Sequence, residues 1–129
     1  MRKGHQAIRD NFGENKNSPA IHFESTKSFT LSTFDDRGTG TNYKGLIMLD
    51  VASLNLTKLP LLIHDSFLFK NIRRDTMRKI IEIYRETNYQ IFVSIDNVDN
   101  YHQDTQEIIN GNIVIELSTD GNELYGQKW

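Results

Sequence analysis

LPLLIHDSF, residues 59–67, decides how the rest of the chain is interpreted. An apolar run of strand length leads directly into His64, Asp65 and Ser66. In α/β folds the loops at the carboxyl ends of parallel strands carry the ligand site, so a carboxylate at this position indicates metal or nucleotide chemistry. Capping of a turn or helix is the alternative role for Asp65, because Asp and Ser often begin such elements.

A glycine-rich loop lies upstream of this strand, at residues 35–45. The loop opens a helix, where free N–H groups and the helix dipole attract anions. Hydroxyl donors from Thr39 and Thr41 and the positive charge of Lys44 make a phosphate group the ligand that this loop favours. A solvent-exposed turn with a helix cap is the alternative.

The apolar periodicity predicts an α/β chain. The expected elements are antiparallel strands at 21–24 and 28–34, a helix at 42–56, a strand at 60–64, an amphipathic helix at 74–87, a strand at 90–95, a weaker helix at 100–110, and strands at 112–118 and 122–128 joined by a turn. A strand, a helix and a strand in this order pair in parallel, which brings Asp65 and Asp96 to one edge. The prediction is a mostly parallel sheet flanked by helices, with a C-terminal β-hairpin.

Composition limits the class of protein. The 129 residues suit one domain at residues 21–129, preceded by a loop-like tail at residues 1–20. Hydrophobic residues make up 37% and charged residues 25%, with 15 basic against 17 acidic side chains, which excludes a disordered polyelectrolyte. No apolar run approaches the roughly 20 residues that a membrane helix needs. The chain contains no cysteine, which excludes disulfides and thiolate metal sites, and we expect a cytoplasmic protein.

The order of these segments resembles the C-terminal half of an ABC-type ATPase head. It is similar to the SMC-like coiled-coil ATPases, and DDRGTGTNYKGLIMLDVASL together with LPLLIHDSFLF resembles the C-terminal domain of the YydD-like family. The resemblance covers roughly residues 21–127. It implies half of a P-loop NTPase head, with ATP and Mg²⁺ as ligands of the complete head.

The resemblance also implies a role for each candidate residue. The signature-motif position, which contacts the γ-phosphate across a dimer, corresponds to Gly38, Thr39, Gly40 and Thr41, and Lys44 follows in the same loop. The Walker B positions for magnesium and for the catalytic carboxylate correspond to His64 and Asp65, the D-loop aspartate to Asn71, and the switch histidine to the neighbourhood of Asp96. Because Mg²⁺ prefers oxygen ligands, Asp65 is the metal candidate, and His64 has a hydrogen-bonded core histidine as its alternative reading.

No GxxxxGK[ST] loop occurs in the chain, although that loop supplies most of the backbone contacts to the phosphates. We therefore expect activity only with a Walker A-bearing lobe, in cis or in trans, and a homodimer. DNA is a further candidate partner for the basic residues Lys70, Arg73, Arg74, Arg78 and Lys79, and a solvated helix face is the commoner reason for such a pattern.

Two other classes of function are open from the residues alone. A metal-dependent phosphoesterase or nuclease would use Asp65, Asp96 and His64 around a divalent ion. A non-catalytic interaction module would use the same residues only as caps, turns and core groups.

Overall fold

The computed structural model describes residues 20–32, 38–118, 122–123 and 126. In chain order its elements are β1 (Ala20–Ser25), β2 (Ser28–Ser32), α1 (Thr39–Leu56), β3 (Leu61–His64), α2 (Arg74–Glu86), β4 (Gln90–Val93) and α3 (Gln103–Asn110), with short 3-10 helices at Ser66–Leu68 and Val98–Asn100. No helix in these ranges is long and apolar enough to cross a membrane.

β1 and β2 form the expected antiparallel hairpin. Phe23 stands opposite Phe29 in the register, and their ring centroids lie 6.4 Å apart. Glu24 accepts hydrogen bonds from the hydroxyl groups of Thr30 at 2.7 Å and Ser28 at 3.1 Å. These two bonds, with that from Thr30 the stronger, hold the pKa of the Glu24 carboxyl below its ordinary value of 4.5. The ionised carboxylate therefore links the two strands across their exposed face.

β3 and β4 pair in parallel, as the strand–helix–strand order predicts. The register places Leu62 beside Ile91 and His64 beside Val93, and α2 connects the two strands. Alternation decides the faces: Leu62 and His64 point towards the helices, whereas Ile63 points away and is 69% exposed.

The predicted fold class is wrong in its larger arrangement. The described strands form one antiparallel pair and one parallel pair in separate sheets, not the mostly parallel sheet of half an ABC-type head. Residues 112–118, expected as a strand, pair with no strand in the part of the chain that the structure describes. Most of the second strand expected at 122–128 lies outside the described residues. The error follows from assuming that every strand-forming segment joins one sheet.

The core lies where α1 and α2 meet the segment that connects β3 to α2. α2 is amphipathic as expected, with Met77, Ile80 and Ile81 buried and its basic residues exposed. These side chains form one cluster with Ile47 of α1 and with Phe69 and Ile72 of the connecting segment. Because α1 and α2 share this core, the first turn of α1 lies beside the start of α2.

Leucines 54 and 56 of α1 provide a test of this packing, because Leu54 is 0% exposed and Leu56 is 81% exposed. Leu54→Ala should lower the free energy of unfolding by about 2–5 kcal/mol through lost burial and a residual cavity. Leu56→Ala should change it by less than about 0.5 kcal/mol. Urea denaturation followed by circular dichroism measures both, and equal losses would contradict the assignment of α1 faces.

Candidate functional site

A cleft of about 410 Å³ lies where the first turn of α1 meets the start of α2. We call it the Gly40 cleft. Its lining residues are Gly38, Gly40, Thr41, Lys44, Asn71, Ile72, Arg73, Asp75, Thr76 and Lys79. Five of the seven residues expected to bind nucleotide lie here, namely Gly38, Gly40, Thr41, Lys44 and Asn71. Of the other two, Thr39 is an exposed residue of the first turn, and Asp96 lies in a different cleft.

Gly40 sets the shape of this cleft because the chain approaches it very closely. A β-carbon at residue 40 would collide with the backbone carbonyl oxygen of Asn71 and lie 3.3 Å from its carbonyl carbon. Backbone atoms cannot rotate away as a flexible side chain can, so only glycine allows this approach. The sequence predicts a phosphate loop at Gly38–Thr41, whereas the structure places Thr39 to Thr41 in the first turn of α1.

Both helices that border the cleft begin without a side-chain cap. α1 follows Gly38 and has no acidic residue in its first turn, and the N–H groups of Thr41 and Asn42 donate to the Gly38 carbonyl at 3.0 and 3.1 Å. The N–H groups of Thr39 and Gly40 have no acceptor within the helix by its geometry. α2 follows Arg73, again with no capping side chain. The dipoles of both helices therefore favour negative charge at this end.

The charged side chains of the cleft are three cations and one carboxylate: Lys44, Arg73, Lys79 and Asp75. The carboxylate already has partners, because Asp75 lies 2.9 Å from His102 Nε2 and 4.0 Å from Arg73 Nη2. Arg73 and Lys79 were expected as candidate contacts to DNA or as members of a solvated helix face, not as nucleotide-binding residues. The signal that would have found them is their position in the first turns of α2, beside Asn71.

Asp65 lines neither cleft and caps the 3-10 helix that follows β3. Its Oδ1 accepts hydrogen bonds from the Phe67 N–H at 2.9 Å and the Ser66 hydroxyl at 3.2 Å. The structure therefore does not bring Asp65 into the Gly40 cleft, and the capping role that the sequence left open is the one that its hydrogen bonds describe.

Asp96 lies in a second cleft, of about 480 Å³, at the carboxyl ends of β3 and β4. The loops after the two strands do meet there, since the Ser66 N–H donates to the Ser94 hydroxyl at 3.0 Å. The Asp96 carboxylate lies 3.5 Å from Lys70 Nζ. Tyr101 lines the same cleft, and its pKa is raised, first by burial and second by the charge of Asp96. Asp65 and Asp96 thus follow neighbouring strands without sharing a cleft.

His64 is a buried member of a hydrogen-bond network and is only 2% exposed. Its Nε2 lies 3.1 Å from Asp50 Oδ2, and its Nδ1 lies 2.5 Å from the Tyr84 hydroxyl. An ionised carboxylate can only accept, so Nε2 donates to Asp50, and in the neutral ring Nδ1 then accepts from the Tyr84 hydroxyl. Burial, and secondarily the charge of Asp50, raises the pKa of Tyr84 well above its usual range. The network joins α1, β3 and α2 and leaves His64 no free nitrogen for a metal.

The sequence reasoning did not identify Asp50 or Tyr84 as partners of His64. The available signal was Asp50, the single carboxylate in the apolar run LIMLDVASL. A carboxylate on a helix that is buried on several sides needs a hydrogen-bond partner. Within the described ranges no group of three His, Asp or Glu side chains is arranged to hold a metal ion.

A protein-family model matches residues 5–129 of this chain, and its description is "Uncharacterised protein conserved in bacteria (DUF2326)". The chain belongs to this family. The assignment to the SMC-like and ABC-type ATPases, and to the YydD-like family among them, is corrected by this match. The curated proteins and the solved structures contain no significant match to this DUF2326 chain.

Gly40→Ala tests the close approach of α1 to Asn71. We expect a loss of about 1–3 kcal/mol in the free energy of unfolding, because the new methyl group forces the first turn of α1 away from the backbone. Gly111→Ala is the matched control: Gly111 has a helical φ of −70° and would meet a carbonyl oxygen only at 3.2 Å. The control should change stability by less than about 1 kcal/mol. Equal effects in chemical denaturation would contradict the geometry.

Tyr84→Phe tests the His64 network through its pH dependence. A raised pKa in the folded state means that the neutral phenol contributes stability below the ordinary pKa of 10.0, and that this contribution is lost as pH rises further. The variant should lose about 1–3 kcal/mol at pH 7, because His64 Nδ1 loses its donor. Above pH 10 its stability should fall less steeply than that of the wild type.

Tyr89→Phe serves as the control, because Tyr89 is 38% exposed. It should retain both the stability at pH 7 and the alkaline slope of the wild type in urea denaturation. An unchanged slope in Tyr84→Phe would show that Tyr84 is not the group that titrates.

Proposed function

We propose that this DUF2326 chain binds the phosphate groups of a nucleoside triphosphate in the Gly40 cleft. The observation that carries the proposal is the convergence of the Gly38–Lys44 segment, whose glycines, hydroxyls and lysine favour a phosphate group, with the start of α2, which is distant in the chain. The close contact of Gly40 with the Asn71 backbone holds the two segments against each other at this cleft.

Charge and size support phosphate as the ligand. Three cationic side chains line the cleft, Lys44, Lys79 and Arg73, of which Arg73 is also 4.0 Å from Asp75, and two helices begin there without side-chain caps. Backbone N–H groups at helix starts and cationic side chains are the groups that bind phosphate oxygens. A volume of about 410 Å³ lies within the range of small-molecule sites.

The proposed site is shared, with ATP and Mg²⁺ as its ligands. The chain has no GxxxxGK[ST] loop, so a Walker A-bearing segment in cis or in trans would supply the main phosphate contacts. The described residues do not form a metal site of their own. Mg²⁺ often remains on nucleotide phosphates and water with few protein ligands, so the cation would arrive with the nucleotide. We place this activity in the cytoplasm.

Two alternative functions, a metal-dependent phosphoesterase and DNA binding, have weaker support. For a metal-dependent phosphoesterase, Asp65, Asp96 and His64 would have to converge, yet each is engaged elsewhere: in a cap, an ion pair and the buried network. For DNA binding, several basic side chains would have to be available, yet Lys70 and Arg78 have carboxylate partners at 3.5 and 2.9 Å.

Lys44→Ala tests the proposal, with Lys58→Ala as its matched control. Both variants remove one positive charge, but Lys58 is exposed in the loop before β3 and does not line the Gly40 cleft. Titration calorimetry of the full chain with MgATP and with tripolyphosphate should show at least about fivefold weaker binding for Lys44→Ala, because a charged hydrogen bond contributes roughly 1–3 kcal/mol.

Lys58→Ala should bind both ligands as the wild type does. Because the chain has no Walker A loop, its own affinity should be low, and the titrations therefore extend to millimolar ligand. Equal affinities in the two variants, or no binding of either ligand to the wild type even at that concentration, would overturn the proposal. Binding of MgATP but not of tripolyphosphate would show that the base or ribose, rather than the phosphates, is recognised.

A further inference from the structure

The parallel sheet of β3 and β4 leaves an apolar face and two edges uncovered. Ile63 and Phe92 are neighbours in the register and are 69% and 43% exposed on the same face. Neither strand has a second neighbour within the described residues. Parallel sheets are normally buried on both faces, and a sheet of two strands is marginal alone. This sheet therefore has the properties of an incomplete one.

The same chain carries an apolar segment that has no partner strand among the described residues. We call residues 113–117 the IVIEL segment. Its apolar residues Ile113, Val114, Ile115 and Leu117 are 48%, 83%, 73% and 56% exposed, and no strand pairs with the segment in the described structure. β-branched residues in this density favour an extended strand. An exposed strand former and an open sheet edge thus occur in one polypeptide.

Three hydrogen bonds fix the exit of the chain from α3, directly before the IVIEL segment. The N–H groups of Gly111 and Asn112 donate to the carbonyls of Glu107 and Ile109 at 3.0 and 2.9 Å, and the Asn112 side chain donates to the Ile108 carbonyl at 2.7 Å. These three bonds fix the backbone up to the residue before the segment. Within this geometry the segment does not pair with the β4 of its own chain.

We propose that the IVIEL segment of one copy adds as a strand to the open edge of β4 in a second copy. Each copy then donates one strand and receives one, which gives a closed twofold dimer. β4 is the more open edge, because Pro60 directly precedes β3 and prolines discourage strand addition. The exchange uses no residue of the Gly40 cleft, so it is independent of the proposed phosphate binding.

Cysteine cross-linking tests the exchange, since the natural chain has no cysteine. Full-length Phe92→Cys is mixed under mild oxidation with a second variant of different mass, either Ile115→Cys or Val114→Cys, so that both faces of the segment are sampled. One of these mixtures should give at least tenfold more mixed disulfide dimer than the control mixture that replaces Phe92→Cys with Phe23→Cys. Phe23 is 76% exposed on the hairpin.

The double variants Phe92→Cys/Ile115→Cys and Phe92→Cys/Val114→Cys separate exchange from pairing within one chain. Exchange predicts disulfide-linked dimers, whereas pairing within the chain gives cross-linked monomers. Cross-linked monomers, or a mixed-dimer yield no greater than that of the control, would overturn the proposal.

Sedimentation equilibrium gives a second readout that does not depend on disulfides. Ile115→Lys should weaken dimerisation at least tenfold, whereas Phe23→Lys and Lys44→Ala should leave the dimer dissociation constant of the wild type unchanged. A wild-type chain that is monomeric at all concentrations, or equal weakening by Ile115→Lys and Phe23→Lys, would refute the exchange. Because Lys44 lines the Gly40 cleft and belongs to neither β4 nor the IVIEL segment, the two proposals can fail separately.

Discussion

The contact between Gly40 and the backbone of Asn71 is the constraint on which the candidate site depends. It brings the first turn of α1 against the segment that leads into α2, so that two helix starts border one cleft. Glycine at residue 40 makes α1 less stable by about 1 kcal/mol than alanine would, because glycine loses more conformational freedom on folding. The core formed by Ile47, Phe69 and Ile72 holds both sides of the contact together and offsets this cost.

The His64 network fixes the same two helices further from the cleft. Asp50 on α1 and Tyr84 on α2 each bind one nitrogen of a histidine that ends β3. A buried polar group without a partner costs free energy, so the network favours the one arrangement in which all three groups are satisfied. His64, which only the resemblance assigned to a magnesium-associated position, is therefore a structural link between α1, β3 and α2.

Local elements could be predicted from sequence more completely than the arrangement of the site. The alternation in 21–34 and the amphipathic pattern of 74–87 identify the hairpin and α2, because burial of one face determines both periodicities. The link between Asn71 and the glycine loop came from the resemblance and not from periodicity, although both line the Gly40 cleft. The position of Asp65 outside that cleft could not be predicted. Asp65 caps the following turn through one local hydrogen bond, and an Asp-Ser sequence is compatible with forming this bond or with facing a ligand instead. The separate sheets depend on long-range pairing, which periodicity does not report.

The central claim is that phosphate groups bind in the Gly40 cleft, between the first turns of α1 and α2. Backbone amide chemical shifts measure this binding most directly. In ¹H–¹⁵N spectra of the full chain titrated with MgATP, the amides of Thr39 to Asn42 and of Arg73 to Thr76 should move together with one dissociation constant. The amides of Asn97 to Tyr101, which border the Asp96 cleft, should keep their positions. Shifts confined to Asn97–Tyr101, or no saturable shift at either cleft, would contradict the account.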